Sequence, residues 1–479
     1  MTRRAGAAAL LALLSVAGCA PKTTYSPPQP APVPEFKENA NWKPAQPRDA
    51  DVRGAWWEIF ADPALAALEQ RIDVSNQTLK AAEAQFAQAR AVVRGSRANL
   101  FPQVAAAPAV STARSSANRA FATFHDSFSD IVLPVDASYE ADVWGRLHGI
   151  VEANRTAAQA TAADLEAARL SLHAELAIDY FALRGVDREQ HLLNAAVEAF
   201  AQALELTQNR FRGGLSSAAD VAQAETQLET TRAQAVDVGV QRAALEHAIA
   251  LLVGEPASTF SLSASPLDGA PPDVPVGVPS ELLERRSDIA GAERRVASAF
   301  AQVGVTQAAY YPVLTLSGAA GFESRSFGSL LSTASAFWTA GPSALVNVLD
   351  FGRRRAANAQ ARAAYDVASA EYQETVLSAF REVEDQLAAL RVLEQEATIQ
   401  DRAVAAAERS LTLANNRYRG GVASYLEVIT AQSFALGNER AAVNLLTRRM
   451  TATVLLLKGL GGNWRAASLP TVAGSSERD

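Results

Sequence analysis

Two long tracts of the chain carry a helical pattern of apolar positions. In the first tract the apolar residues recur every seven positions, and in the second they alternate between spacings of three and four. These positions are Val151, Ala158, Leu165 and Leu172 in the first tract, and Val376, Phe380, Val383, Leu387 and Leu390 in the second. The spacing is typical of coiled-coil-like helices. Neither tract contains a proline, and proline breaks helix interiors, so each could hold one helix of about 95 Å.

A pair of glycines ends each helical tract, at Gly213-Gly214 and at Gly420-Gly421. Glycine readily adopts the left-handed conformation that follows a helix C-terminus, and serines that suit an N-cap come shortly afterwards. The sequence therefore predicts two helical hairpins, over about 145–253 and 352–459, each with a tight tip. The alternative is that each tract breaks into several bundle helices, with Gly185 as one possible break.

Two other segments alternate between apolar and polar residues with a period of two. Ile131–Val143 has apolar odd positions and charged or polar even positions, and Trp338–Val348 has apolar even positions. Such alternation predicts strands with one apolar face. With partner strands near Gln103–Ala113 and Val313–Phe322, the sequence predicts two strand hairpins, at about 103–143 and 313–350. An apolar outer face suits an outer-membrane barrel, with Tyr139 and Trp338 in its interfacial aromatic belts. The alternative is a small sheet packed on a soluble core.

Matching segments recur at a nearly constant offset along the chain. The tip segment 209–215 recurs at 416–422, an offset of 207 residues, and Trp144-Gly145-Arg146 recurs as Phe351-Gly352-Arg353. Repeated anchors at one offset indicate a tandem duplication. We therefore divide the chain into repeat 1 at 61–268, a linker at 269–280, repeat 2 at 281–465 and a tail at 466–479. Each repeat holds one strand hairpin and one helical hairpin.

The N-terminus has the pattern of a lipoprotein signal peptide. Arg3 and Arg4 precede an apolar run that is too short to span a bilayer as a helix, and the only cysteine of the chain, Cys19, follows it. Residues 1–18 are thus predicted to be removed, Cys19 to be acylated, and 19–60 to form a Pro-rich tether. The alternative is an ordinary secretory signal with an incidental cysteine.

Composition and charge exclude several classes of function. The 44 basic against 51 acidic residues give a net charge of −7, which offers nothing to nucleic acid phosphates. The sequence has one cysteine and five histidines, and their spacing does not suit metal ligands. It contains no nucleotide-binding, metalloprotease or serine-hydrolase motif. We therefore expect neither an enzyme nor a protein that carries a cofactor.

A longer motif carries a family resemblance. Arg285-Arg286-Ser287-Asp288-Ile289, followed by Ala292-Glu293-Arg294-Arg295 and Ala309-Tyr310-Tyr311-Pro312, resembles a block of the TolC-type outer membrane factors in their NodT/OprM-like efflux lipoprotein branch. Ser287 departs from the usual proline of that block. The resemblance implies a mainly α protomer with four membrane strands. Three protomers would form a 12-stranded β-barrel in the outer membrane and a 12-helix α-barrel in the periplasm, with the linker in an equatorial belt.

The resemblance also implies the function and its partners. The trimer would conduct drugs and other small solutes delivered by an inner-membrane RND pump through a periplasmic adaptor. It would be lipid-anchored in the outer membrane and extend into the periplasm. The alternatives are an exit duct for type I protein secretion and a non-channel periplasmic coiled-coil lipoprotein.

Two groups of site residues follow from the resemblance. The first would form the periplasmic tips that dock the adaptor, and the second would line a constriction of the lumen. The tips are Arg210, Phe211, Arg212, Gly213, Gly214 and Leu215 in repeat 1, and Arg417, Tyr418, Arg419, Gly420, Gly421 and Val422 in repeat 2. The constriction would contain Asp220, Glu427, Tyr418 and Arg417, although plain helix capping would also explain the glycines and the acidic residues.

Overall fold

The structure, a computed structural model, describes residues 25, 26, 28, 37, 55–114, 116, 127–274 and 285–462. The predicted signal peptide, Cys19 and the tail at 466–479 lie outside the described residues. So do most of the predicted tether and part of the linker at 269–280.

Two shorter helices precede the first strand. A 3₁₀ turn at Trp56–Phe60 leads to α1 (Pro63–Ser75) and α2 (Gln77–Ala98). The Asp62 carboxylate accepts hydrogen bonds from the backbone N–H groups of Ala64 and Leu65, so it caps α1.

Within the described part of the chain, five further helices build the body of the molecule, and two of them are very long. They are α3 (Arg146–Arg212), α4 (Ala218–Leu252), α5 (Ser287–Ala308), α6 (Arg353–Arg419) and α7 (Tyr425–Gly459). α3 and α6 have 67 residues each, so each is about 100 Å long. α3 continues through Gly185 without a break. α4 folds back along α3, and α7 folds back along α6. None of the described helices combines the length and apolarity needed to cross a bilayer.

One antiparallel sheet joins the strands of both repeats. Its strands are β1 (Gln103–Ala106), β2 (Ala109–Arg114), β3 (Ser127–Ala141), β4 (Val313–Ser324) and β5 (Ala336–Leu345). β3 pairs with β4, which pairs with β5, while β1 and β2 both pair with β3. Because β1 and β2 follow one another along β3, the sheet is four strands wide.

The strand register places the apolar positions of all the strands on the same face. Val135 lies opposite Ala106 and Ala320, and Ala320 lies opposite Trp338. Directly opposed residues of an antiparallel pair point to one side of the sheet. The other face carries Asp136, flanked by Ala105 and Ala319. The alternation predicted strand by strand is thus aligned across the sheet, and in the single chain most of the apolar face is exposed.

The strands differ from their predicted bounds for reasons of pairing. The predicted strand at Gln103–Ala113 is interrupted between β1 and β2 at Pro108, which has no N–H to donate to a ladder. β5 ends at Leu345 instead of continuing to Val348, because its partner β4 begins at Val313, directly opposite Leu345. β3 ends at Ala141, opposite Leu314, one residue short of the start of β4.

The largest core lies where α1 and the segment after α4 pack against the long helices. Buried members from α1, α3, α4 and α7 meet there, and Phe260 and Leu267 of the connecting segment join them. The backbone N–H of Leu267 donates to the Arg184 carbonyl (2.9 Å), and that of Ser265 donates to the Asp187 carboxylate (2.9 Å). These contacts hold the chain segment that precedes the linker against α3.

Candidate functional site: the tips of the helical hairpins

Both long helices end in the same hydrogen-bonded turn. In the first tip the N–H of Leu215 donates to the Arg210 carbonyl (2.8 Å), and the N–H of Gly214 donates to the Phe211 carbonyl (2.9 Å). In the second tip Val422 and Gly421 make the equivalent bonds. This pattern is a Schellman motif, and it requires a left-handed residue after the helix. Gly214, with φ +72°, and Gly421, with φ +76°, occupy that position.

The two tips differ at the start of the returning helices. Ser217 and Asp220 form a capping box at α4, in which the Ser217 N–H donates to the Asp220 carboxylate (2.9 Å). Hydrogen bonding from the Ser217 backbone holds the pKa of Asp220 below its usual value. At α7 the N-cap is Ser424, whose side chain makes no capping hydrogen bond. The first tip is therefore closed by its own polar contacts more completely than the second.

The two tips of one chain lie against each other. Tyr418, 4% exposed, is buried between them, and its hydroxyl donates to Thr207 Oγ1 on α3 (3.2 Å). The Tyr425 ring lies 5.3 Å from the Tyr418 ring, and Ala224 of α4 belongs to the same cluster. The tertiary structure thus brings together two segments that lie about 200 residues apart in the sequence.

The outer surface of the tips combines exposed glycine backbone with apolar side chains and arginines. Leu215 is 72% exposed and Val422 is 70% exposed, and the four tip glycines are exposed as well. The Arg212 and Arg419 side chains, in the last turns of α3 and α6, are also exposed. Such a surface suits close packing by another chain, because glycine lets two backbones approach.

Three of the four predicted constriction residues have partners inside their own hairpins. The Glu427 carboxylate lies 3.3 Å from the Arg417 guanidinium, and both side chains are about half exposed. The Asp220 carboxylate is held in its capping box, and Tyr418 bonds to Thr207 and not to an acidic residue. Among the described residues, the Tyr418 hydroxyl is therefore bonded across the two hairpins and not to an acidic side chain.

The two predicted belt residues lie on the apolar face of the sheet. Tyr139 is near the end of β3 that leads into α3, and Trp338 is near the start of β5, level with Val135 in the middle of β3. Trp338 is 79% exposed. The assignment of these two residues to interfacial aromatic belts stays a prediction.

Sequence reasoning missed two features. The first is the buried pair of Glu69 and His173, whose carboxylate and Nδ1 lie 2.6 Å apart in the largest core. The second is the contact of Arg210 with the second tip. No local pattern points to either, because each joins distant positions of the sequence. Among the described residues, no group of three or more His, Cys, Asp or Glu side chains could hold a metal ion.

The fold and these surfaces define the class of the protein. A sheet with an exposed apolar face, continued by paired helices about 100 Å long, is suited to a protein that sits in a membrane at one end and reaches far from it at the other. The glycine-rich tips lie at the far end of those helices.

The comparison with known proteins identifies the family. A family model described as outer membrane efflux protein matches residues 68–255 and 278–462, so the chain belongs to that family. The outer membrane protein OprJ of Pseudomonas aeruginosa is 31% identical over 468 residues, which cover 96% of each chain. A probable efflux pump outer membrane protein of Pseudomonas putida, TtgC, is 29% identical over 454 residues, 93% of each chain.

Solved structures of outer-membrane channels have the same fold as this chain. The outer-membrane channel OprN is 28% identical, with a TM-score of 0.85 over 93% of this chain and 99% of that chain. The Campylobacter jejuni CmeC outer membrane channel, 23% identical, has the same fold, with a TM-score of 0.88 over 94% of this chain and 96% of that chain.

Proposed function

We propose that the chain is the outer-membrane duct of a tripartite RND-type efflux system, which conducts drugs and other small solutes from a periplasmic adaptor and inner-membrane pump to the exterior. The observation that carries the proposal is the coexistence of an exposed apolar sheet face and two adjacent glycine tips about 100 Å away. Membership of the outer membrane efflux protein family supports the same function.

The duct requires more than one chain. Within the described residues, the β1–β2 edge and the β5 edge of the sheet each lack a neighbour. Open sheet edges are not viable in lipid, and four strands do not enclose a barrel. A symmetric trimer would close the edges into a 12-stranded barrel and the helices into a 12-helix tunnel.

The tips are the proposed docking surface for the adaptor. A photoreactive residue in place of Leu215 should crosslink the chain to an adaptor in native cells. Gly214→Trp with Gly421→Trp should reduce that crosslink more than tenfold, because the two indole rings would block the close approach of the adaptor. Each tryptophan would also have to adopt a left-handed backbone conformation, at a cost of about 1–2 kcal/mol.

Two further variants make this experiment decisive. Gly239→Trp with Gly437→Trp adds the same side chains at exposed helix positions away from the tips, with open space around both glycines, and should leave the crosslink intact. Leu215→Glu with Val422→Glu, read through a photoreactive residue at Arg212, changes the tip surface without backbone strain and should also weaken the crosslink. An undiminished crosslink in both tip variants, with trimers present, would contradict adaptor docking at the tips.

The remaining sequence-based assignments stay predictions. A ring of Asp220 and Glu427 carboxylates at a constriction would favour cations, so Asp220→Ala with Glu427→Ala should reduce the cation preference of single channels. Acylation of Cys19 should be visible as incorporation of labelled palmitate that Cys19→Ser abolishes.

A further inference from the structure

The Arg210 side chain, in the last turn of α3, reaches out of its own hairpin to the second tip. Its Nη1 donates to the backbone carbonyl of Tyr418 (3.0 Å) and lies 3.4 Å from that of Arg419. Its guanidinium carbon lies 4.6 Å from the centre of the Tyr418 ring. One side chain of repeat 1 thus contacts both the ring and the terminal carbonyls of α6 in repeat 2.

These contacts combine several favourable interactions at one helix end. The last carbonyls of a helix have no partner within the helix, and the negative end of its dipole attracts a cation. Arginine presents several N–H donors in a planar fork and stacks on an aromatic face, which lysine does less well. The Tyr418 hydroxyl bonds to Thr207, about one turn before Arg210 on α3. α3 therefore holds Tyr418 at both its hydroxyl end and its backbone.

The equivalent residues of the other repeat make no such contact. Arg417, at the position of Arg210, pairs with Glu427 of its own hairpin (3.3 Å) and is 57% exposed. Phe211, at the position of Tyr418, has no hydroxyl and is 47% exposed. Thr207 corresponds to Ala414, which has no polar side chain. Within the described residues of one chain, the link runs from repeat 1 to repeat 2 only, so capping common to both helices does not explain it.

We infer that Arg210 is a positioning residue that holds the second tip in place against the first. One protomer then presents both tips as a preset surface, that is, a single surface whose arrangement is fixed before the partner binds. The inference rests on the proposed function only for the identity of the partner, which is the adaptor. The mechanical role of Arg210 stands on contacts within one chain. Preset tips bind with less loss of conformational freedom than tips that must be ordered first.

The test compares hydrogen exchange in full-length trimers of the wild type and three variants. Arg210→Ala should accelerate amide exchange in residues 418–424 at least tenfold, while residues 211–217 exchange as before. Arg417→Ala, the matched control at the equivalent position, should leave both segments unchanged. Arg210→Lys, which keeps the charge and a hydrogen-bonding group but not the planar guanidinium, should restore part of the protection at 418–424.

A second readout connects tip position to docking. The adaptor that crosslinks to the wild-type tips should bind the Arg210→Ala trimer at least fivefold more weakly. The Arg232→Ala trimer, changed at an exposed position of α4 outside the tips, should bind it with unchanged affinity. Unchanged exchange at 418–424 in Arg210→Ala would overturn the positioning role. Faster exchange in Arg210→Ala together with unchanged adaptor affinity would overturn the inference that the adaptor binds a preset surface. If the wild-type trimer crosslinks to no adaptor, the proposed function fails, while the exchange comparison still decides the role of Arg210.

Discussion

Glu69 and His173 form a buried polar pair where α1 packs on α3. Their side chains are 0% and 4% exposed, the Trp57 ring stacks on the imidazole at 4.6 Å, and Asp73 lies 3.6 Å from Nε2. The Glu69 Oε1 atom has no hydrogen-bond partner among the residues that the structure describes. Burial raises the pKa of the Glu69 carboxyl to about 7, although the hydrogen bond with His173 lowers it. The Glu69 carboxyl therefore titrates near neutral pH.

The raised pKa predicts how stability depends on pH. A carboxyl whose pKa is higher in the folded state binds protons more tightly there, so its stabilisation is complete below the unfolded pKa of about 4.3 and is lost as the pH rises through 7. We expect the thermal unfolding midpoint to fall between pH 5.5 and pH 8, with Glu69 accounting for about 2 kcal/mol. Burial raises the pKa of Asp179 to about 6, which acts in the same direction.

A substitution at Glu69 measures how much this carboxyl contributes to the pH dependence of stability. Glu69→Gln removes the titrating group, so the midpoint should vary less between the two pH values than in the wild type. Glu205→Gln, at an exposed position of α3, should retain the wild-type dependence. An identical pH dependence in Glu69→Gln and the wild type would show that this carboxyl does not titrate as its burial implies.

At the scale of elements, a close approach between helices explains why a glycine lies inside α3. A Cβ atom at Gly185 would lie 2.2 Å from Thr447 Oγ1 of α7 and 3.3 Å from the Thr447 Cβ. Glycine in a helix interior costs about 1 kcal/mol relative to alanine. The close packing of α3 on α7 therefore depends on a residue that is locally unfavourable for the helix.

This contact predicts opposite effects for two glycine-to-alanine substitutions. Gly185→Ala should destabilise the protein by about 1–3 kcal/mol, because overpacking outweighs the gain in helix propensity. Gly239→Ala, at an exposed position of α4 with open space around it, should stabilise by about 1 kcal/mol. Denaturant unfolding of the variants measures both. Adding Thr447→Ala to Gly185→Ala should recover most of the loss, and additive effects in that double-mutant cycle would contradict the contact.

At the scale of the whole molecule, the sheet has two faces with different surroundings in the proposed barrel. Val135, near the middle of β3, lies on the apolar face and is 48% exposed in the single chain, while Asp136 lies on the other face. The exposed apolar face has no counterpart in an ordinary soluble core. In the proposed barrel this face would contact lipid.

Neighbouring lysine substitutions distinguish the two faces. Val135→Lys should lower the yield of assembled trimers in the outer membrane, since a lysine facing lipid near the bilayer midplane costs about 2–4 kcal/mol. Asp136→Lys, facing the lumen, should leave assembly nearly unchanged and alter ion selectivity. Heat-modifiable migration in gels measures the trimers. Normal assembly of Val135→Lys together with failure of Asp136→Lys would reverse the assignment of the faces.

Most of the regular elements could be predicted because their signals are local. Proline-free tracts with coiled-coil spacing predict α3 and α6, Gly214 and Gly421 mark the tips, and period-two alternation predicts β3. Local pattern predicts strand ends less well, since β5 stops where its partner β4 begins and not where its own alternation ends.

The sequence by itself determined the repeat, the long helices, the tight turns and the apolar side of each strand. Each of these depends on residues within a few positions of one another, or on a fixed offset between two copies. Only the tertiary structure decided the common apolar face, the pairing of Glu69 with His173 and the contact of Arg210 with Tyr418. Those contacts join residues between 104 and 208 positions apart, and no local periodicity specifies which distant side chains the packed helices and paired strands will bring together.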